Sequence, residues 1–403
     1  MAPVYTVGPK GVKPRSDVRV IYTPQTAPLS IKIQSKVGIL FGQSIDELTQ
    51  SVCTKLGITS GKLEIQDFGA VPFVMMARIE AAIKKAYPDI PVEVLPEMKD
   101  FCQYSSTRDR FRRSRLYLPG NQPKLALNAG IHNPDGLILD LEDSVGPPEK
   151  DETRYLVRNA LRSLDFFGAE RMVRINQGEM GLTDLEFIVP HNVHLILIPK
   201  VESADQICAV DEKIAEISKA CGRTKPVYLM PILESGRGIL KALEIAEASP
   251  NNVALAIGLE DYTADLGVPR TDEGKESFFA RGMLVNAARA AGLQAIDTVY
   301  SDVGNEEGLR ASVLEAKALG FDGKGCIHPR QIKPLHESFA PTSVEIDKAK
   351  KIELAFDKAQ EQGLGVVALG NKMIDPPVVK RAQQTIALAV ASNLLAENWK
   401  EEV

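Results

Sequence analysis

Glu234 and Asp261 each stand where an apolar, β-rich run gives way to a loop, in Pro231-Ile-Leu-Glu234-Ser-Gly-Arg237 and Gly258-Leu-Glu-Asp261-Tyr262. The runs are Val227–Leu233 and Val253–Ile257. An acidic side chain at the end of a buried strand is costly unless a positive charge compensates it. If the two strands are neighbours in one parallel barrel, both carboxylates face the same mouth. Two hard oxygen ligands with open positions beside them suit Mg²⁺. The competing reading is that each carboxylate caps the helix or turn opened by Ser235-Gly-Arg and Tyr262-Thr-Ala. Spacing alone leaves the two even.

Other strand ends carry charge as well. Arg174 is a planar, permanent cation that can fork onto a carboxylate or an oxyanion. An ion pair within the mouth is the equal alternative. Asp140, Glu142 and Asp143 read as a structural network with Arg174 or Lys200 more readily than as metal ligands. His328 before Pro329 reads as a buried, hydrogen-bonded histidine rather than a general base. The five histidines lack zinc-ligand spacing, and no Ser/His/Asp nucleophile arrangement stands out.

The elements that must position these groups follow from the hydrophobic pattern. Eight strand-then-helix units run through the larger part of the chain. The strands are Leu116–Pro119, Gly136–Leu141, Met172–Asn176, Val193–Pro199, Val227–Leu233, Val253–Ile257, Ala295–Val299 and Gly323–His328. Helical spacing lies between them, as in Ser203–Ala220, Gly238–Ala248, Phe278–Ala291 and Glu306–Leu319. Continuous apolar strands between amphipathic helices mean a parallel sheet covered by helices. Eight units predict a closed (β/α)₈ TIM barrel, with its site at the C-terminal strand ends. No Gly-x-Gly-x-x-Gly follows the first strand, which disfavours a dinucleotide fold.

Before the barrel, strands at Asp17–Thr23, Leu29–Gln34 and Lys62–Asp67 and helices at Ile45–Leu56 and Val71–Tyr87 predict a small α+β domain. After it come two long helices, Glu345–Gln362 and Pro377–Trp399, joined by a Gly-rich loop that could cover a barrel mouth. The expected organisation is a first domain over 1–97, a polar linker over 98–113, the barrel over 114–340 and a C-terminal helical extension and lid over 341–403.

The chain has 403 residues, 44% hydrophobic and 25% charged, with a net charge of −5. These are globular values for two domains, with no nucleic-acid footprint. Five scattered cysteines read as reduced thiols. The N-terminus lacks a signal h-region, and no apolar run approaches the ~20 residues of a membrane span. A cytoplasmic protein that binds neither membrane nor nucleic acid is expected.

At this point the motifs carry a resemblance. Leu118-Pro-Gly-Asn, Leu139-Asp-Leu-Glu-Asp-Ser-Val, Val173-Arg-Ile-Asn, Ile198-Pro-Lys-Val-Glu, Ala295-Ile-Asp-Thr-Val-Tyr-Ser-Asp, Gly320-Phe-Asp-Gly-Lys and Ile327-His-Pro-Arg-Gln-Ile resemble the citrate lyase β-subunit (HpcH/HpaI aldolase) family over about Arg113 to Trp399. The resemblance implies Mg²⁺ on Glu234 and Asp261, and a substrate-binding arginine at Arg174. It also implies a catalytic aspartate at Asp375, in Gly370-Asn-Lys-Met-Ile-Asp375, donated to an adjacent subunit of a homotrimer. Without the resemblance, Asp375 before Pro376 reads as a helix N-cap.

The first domain, over about residues 8 to 95, resembles the acyl carrier (γ) subunit of citrate lyase. The likeness rests on Phe41-Gly with the helix after it, and on Asp67-Phe-Gly-Ala-Val-Pro-Phe-Val-Met-Met-Ala-Arg-Ile-Glu. In that family a serine in Gly-x-x-x-Ser-x-Asp carries a phosphoribosyl-dephospho-CoA arm. Here Arg15 falls at the acceptor position and Ser16 one residue later. Loss of the acceptor is favoured over a shifted Ser16.

The implied activity is Mg²⁺-dependent cleavage of a citryl-, citramalyl- or malyl-CoA-like thioester to an acyl thioester and a 2-oxo acid. Lys124 is a candidate contact for CoA phosphate, although a solvated lysine is the plainer reading. A citrate-lyase-like α subunit is a possible partner. A malyl-CoA-type thioesterase and a non-catalytic carrier or scaffold subunit are the alternatives.

Overall fold

The computed structural model describes residues 3–9, 14–361, 367–369 and 372–402. Eight parallel strands close a barrel: β5 (Ser114–Pro119), β6 (Gly136–Asp140), β7 (Glu170–Arg174), β8 (Leu195–Ile198), β9 (Tyr228–Leu233), β10 (Ala254–Ile257), β11 (Gln294–Asp297) and β12 (Gly323–Cys326), with β12 pairing back onto β5. Their residues are almost all buried, as strands covered on both faces require. The lumen is filled by Ile138, Met172, Leu195, Leu197, Met230, Ile232, Ala254, Ala256 and Ile296. The barrel is therefore a packed core whose polar groups collect at one end.

Ahead of it, β1 (Tyr5–Val7), β2 (Val18–Pro28), β3 (Ser30–Ser35) and β4 (Ser60–Asp67) form a sheet in the order β1-β2-β4-β3, with helices α1 (Gly38–Lys55) and α2 (Pro72–Ala86). The helices after β5 are α3 (Pro123–Ala126), α4 (Lys150–Ser163), α5 (Gly178–Ile188), α6 (Ala204–Cys221), α7 (Gly236–Leu240), α8 (Ala242–Glu247), α9 (Leu259–Leu266), α10 (Lys275–Ala290), α11 (Glu306–Leu319) and α12 (Ile332–Phe339). Last come α13 (Ser343–Glu361), a short hairpin of β13 (Val367–Leu369) and β14 (Lys372–Ile374), and α14 (Pro376–Ala391). No helix among the described residues is long and apolar enough to cross a membrane.

The expected elements are present with shifted edges. β1 escapes sequence reading because three residues show no period. α1 begins seven residues before Ile45, since its first turns expose Ile39, Leu40 and Phe41 and so lack an amphipathic signal. The helix expected over Gly238–Ala248 is two helices that break at Lys241, where φ is −105°. The helix expected over Pro377–Trp399 stops at Ala391. Asn393 turns into the left-handed region at φ +55°, and Trp399 folds back, buried, onto α13 and α14. Residues 363–366, 370 and 371 of the Gly-rich loop lie outside the described residues.

Helix α2 is buried on every side from Phe73 to Ile83, because it lies between its own sheet and α4 of the barrel. Two arginines cross this contact. Arg78 of α2 donates to both oxygens of Asp17 at 3.1 and 2.9 Å and to Glu152 of α4 at 2.8 Å. Arg158 of α4 donates to Glu80 of α2 and, at 3.0 Å, to Glu93. The 98–113 segment is also anchored. Arg112, fully buried, pairs with Glu170 at 2.6 Å, and the Tyr104 hydroxyl donates to the Ala169 carbonyl at 2.5 Å.

Candidate active site

A cavity of about 380 Å³ opens at the C-terminal strand ends, lined by Arg115, Tyr117, Asp140, Asp143, Arg174, Glu234, Asp261 and Thr298 among others. Glu234 follows β9 and Asp261 follows β10, and these strands are paired neighbours. Neither residue is a helix cap. Ser235 caps α7 through the Gly238 N–H, and Gly258 is the cap residue of α9, which leaves Asp261 in the first turn of that helix. The positive end of the α9 dipole favours a carboxylate there. Gly258 leaves room for the Glu234 carboxylate: a Cβ there would lie 2.3 Å from Oε2 and push the carboxylate aside. The missing side chain is the space the Glu234 carboxylate occupies.

Glu234 is 5% exposed and accepts the Lys200 backbone N–H at 2.8 Å. Burial pushes its carboxyl up to about 8; the Lys200 N–H opposes the shift, while Asp261 and Glu142 add like-charge repulsion. Lys200 supplies that N–H from the left-handed region, at φ +50°. Its ammonium then lies 3.3 Å from Glu142, 3.4 Å from Asp143 and 3.5 Å from Asp261. Burial works against the ammonium, but Glu142, Asp143 and Asp261 together raise its pKa.

Arg174, at the end of β7, is held on two sides. It forks onto Asp140 with two 2.7 Å bonds, reaches Glu142 at 3.0 Å, and lies 5.3 Å from the Tyr117 ring centre. Burial disfavours the Asp140 charge, but the Arg174 fork outweighs it and holds Asp140 below the ordinary carboxylate range. Arg174 is thus both an ion pair of the mouth and a wall of the cavity. Burial raises Glu142, with Arg174 opposing.

Glu234, buried against like charge, and Asp261, 3.5 Å from the Lys200 ammonium, give one cavity a pair of hard oxygen donors. Mg²⁺ fits such a donor set, because it binds through one or two carboxylates and keeps positions for substrate oxygens and water. Among the described residues no group of three or more His, Cys, Asp or Glu is placed to hold a metal. The carboxylate pair would need substrate or water to complete the coordination.

The remaining candidates fall elsewhere. Asp375 caps α14, accepting the Val378 N–H at 3.2 Å, and is not among the lining residues of this cavity. Lys124 is exposed on α3, away from the lining. Ser16 sits in a left-handed turn at φ +55°, its N–H bonded to the Phe68 carbonyl at 3.1 Å, next to the buried Asp17. Residues 10–13, which hold the start of its motif, lie outside the described residues. His328 is half-exposed rather than buried. Its Nδ1 accepts the Arg330 N–H at 3.1 Å, capping the turn after β12. Sequence reading passed over Arg115 and Tyr117 of β5. Their alternation toward the lumen was the available signal.

The comparisons with known proteins agree with the barrel fold. The family pattern HpcH/HpaI aldolase/citrate lyase matches residues 113–329. A second pattern, ACP: malonate decarboxylase delta subunit (MdcD), matches residues 9–86. The citrate lyase subunit beta of Haemophilus influenzae is 44% identical over 283 residues, 70% of this chain and 97% of that protein. The mitochondrial citramalyl-CoA lyase of Homo sapiens is 34% identical over 292 residues, 70% of this chain and 86% of that protein. Among solved structures, CitE from Mycobacterium tuberculosis in complex with magnesium, acetoacetate and coenzyme A superposes with a TM-score of 0.57 at 29% identity, covering 70% of this chain and 99% of that one. With its barrel, its acidic mouth and these relatives, the chain belongs to the HpcH/HpaI aldolase/citrate lyase family.

Proposed function

We propose that the barrel mouth cleaves a 3-hydroxy-3-carboxyacyl thioester of CoA type to an acyl thioester and a 2-oxo acid, with Mg²⁺ as cofactor. The observation that carries this is one cavity lined by the buried Glu234, Asp261 and Arg174. The protein is a carbon–carbon lyase. Glu234 and Asp261 would hold the cation, which when bound supplies Lewis-acid stabilisation of oxygen charge.

The chain's own residues do the rest. The bond electrons pass to the thioester α-carbon while the hydroxyl gives its proton to solvent and becomes a ketone. Arg174, fixed by Asp140, offers its remaining N–H toward the oxygen on which charge develops. Asp375 from an adjacent subunit of a homotrimer gives its proton to the α-carbon, and takes one in the condensation direction. The position of Asp375 away from its own cavity supports donation between subunits. The 1–97 domain is carrier-like, the barrel over 114–340 is catalytic, and the extension over 341–403 carries Asp375. Arg15 at the acceptor position and the hydrogen-bonded turn at Ser16 favour free CoA over a protein-bound arm.

The test is incubation of citryl-, citramalyl- and malyl-CoA with the protein and Mg²⁺. Release of a 2-oxo acid that is lost in Glu234→Gln supports the lyase. Intact hydroxy acid plus free thiol means a thioesterase instead. Full activity in Glu234→Gln would return the chain to a carrier or scaffold role. Intact mass of the natively produced protein reports whether Ser16 carries an arm.

A further inference from the structure

Two polar side chains of β5, Arg115 and Tyr117, line the mouth cavity with Pro119, because alternation puts all three on the lumen face. Arg115 is buried and, among the described residues, forms no ion pair. Its Nη1 donates to the Met230 Sδ at 2.9 Å, and its guanidinium lies against the Tyr117 phenol. Small residues make room for the pair. The partners of Arg115 in register are Gly136 and Gly325. A Cβ on Gly325 would lie 3.4 Å from the Tyr117 ring, so the ring packs there on bare backbone. The Arg174 guanidinium lies 5.3 Å from the ring centre. Backbone and guanidinium together hold the ring in place.

A guanidinium donates hydrogen bonds and never accepts one. The phenol therefore turns an oxygen lone pair to Arg115 and keeps its O–H for a group in the cavity. Burial raises the phenol above its ordinary range, against the pull of Arg115 and Arg174, so that proton stays in place. A hydroxyl polarised by an adjacent cation is a stronger donor. Its place in the ring selects the acceptor. β5 and β9 stand opposite each other in the closed barrel, and Glu234 follows β9. Tyr117 thus faces the metal side across the lumen. Two substrate oxygens carry charge in the lyase reaction. The hydroxyl oxygen belongs on the metal side, which leaves the thioester carbonyl oxygen for the side of Tyr117.

We propose that Tyr117, polarised by Arg115, donates a hydrogen bond to the thioester carbonyl oxygen as the enolate forms. The assignment rests on the lyase reading of the mouth and adds a catalytic residue to it, with Arg115 as the residue that positions and polarises the phenol. When the carbon–carbon bond breaks, its electrons spread from the α-carbon onto that oxygen. The phenol stabilises the charge and keeps its own proton. Asp375 then protonates the α-carbon, the electrons return from the oxygen, and the thioester carbonyl is restored. No carboxylate offsets the Arg115 charge, so its field adds to the stabilisation of the enolate oxygen.

The test is steady-state cleavage by the full chain with Mg²⁺, on whichever of citryl-, citramalyl- and malyl-CoA the parent cleaves. Tyr117→Phe keeps the ring and removes the hydroxyl. Its kcat should fall about 100-fold with KM within about threefold, because the bond strengthens only in the transition state. Calorimetry with Mg²⁺ should show the released 2-oxo acid bound within about threefold of the parent, since the phenol serves the other fragment. Arg115→Met should lower kcat about tenfold in the parent and less than about twofold in Tyr117→Phe, because it acts through the phenol. A Tyr117→Phe kcat within about threefold of the parent overturns the proposal. So does loss of 2-oxo acid binding in that variant, which would put the phenol on the wrong fragment. Equal losses from Arg115→Met in both backgrounds overturn the part given to Arg115. If the parent releases no 2-oxo acid from any of the three thioesters, the lyase reading fails and this assignment with it. If the parent cleaves and Tyr117→Phe cleaves as well, the Tyr117 assignment alone fails.

Discussion

Replacing Arg78 by Met should destabilise the first domain, which holds both Arg78 and Asp17. Arg78 stands between Asp17 and Glu152 and is 2% exposed. The substitution keeps most of the side-chain volume and removes the charge. Glu152 retains Lys85 at 2.6 Å and the Gly8 N–H at 3.0 Å. Among the described residues Asp17 has no second cation, and it retains the Val18 N–H at 2.8 Å. The loss therefore falls mainly on Asp17, a buried carboxylate stripped of its counter-ion, at a cost of about 3–5 kcal/mol. The chain's single tryptophan, Trp399, lies against α13 and α14 and reports on the C-terminal helices. Urea unfolding followed by far-ultraviolet circular dichroism and by Trp399 fluorescence separates the parts. Arg78→Met should give an added circular-dichroism transition at lower urea, with the fluorescence midpoint unmoved. Asp17→Asn on the same background should recover part of the loss, because it removes the stranded charge. Circular-dichroism curves that superimpose for parent and variant would refute the argument that the buried Arg78–Asp17 pair stabilises the first domain.

Three further outcomes follow from the site and its surroundings. Asp375→Asn and Glu234→Gln should each abolish turnover. Mixed, refolded assemblies of the two should regain a fraction of it if Asp375 serves a neighbouring subunit, and no recovery at any mixing ratio would exclude donation in trans. Lys200→Met should bind Mg²⁺ about tenfold more tightly by calorimetry without substrate, because a single charge near a divalent ion is worth about 1.4 kcal/mol in a near-aqueous mouth; unchanged or weaker binding would show that the ammonium does not compete for Asp261. His191 and His194 are held down to about 3, in each case first by burial; Arg162 adds to it at His191, and at His194 the Tyr104 carbonyl opposes it. The unfolded chain takes up protons below about pH 6.5 while the folded chain does not, so stability is full above that pH and falls as pH drops toward 3. At pH 5 the two together should cost about 4 kcal/mol, read as a lower urea midpoint that His194→Gln partly restores.

The sequence by itself determined the barrel and the identity of its acidic pair. Eight buried apolar runs alternating with amphipathic helices are local patterns, legible without knowing what touches what. Glu234 and Asp261 stood out because acidic residues closed two of those runs, and Asp375 because an ordered motif surrounds it. Tertiary structure decided which charges meet. Arg78 finds Asp17 61 residues away, and Arg158 finds Glu80 78 residues away. Lys200 orients Glu234 through a backbone N–H whose direction depends on a left-handed φ, and side-chain chemistry does not announce that angle. Arg115 lay just outside the expected strand Leu116–Pro119 and drew no reading; closure of the barrel placed glycines on both sides of it and a cavity ahead. Patterns of period two or 3.6 record which face of an element is buried; the partner of a buried charge is set by the elements that close around it, and that information is not local.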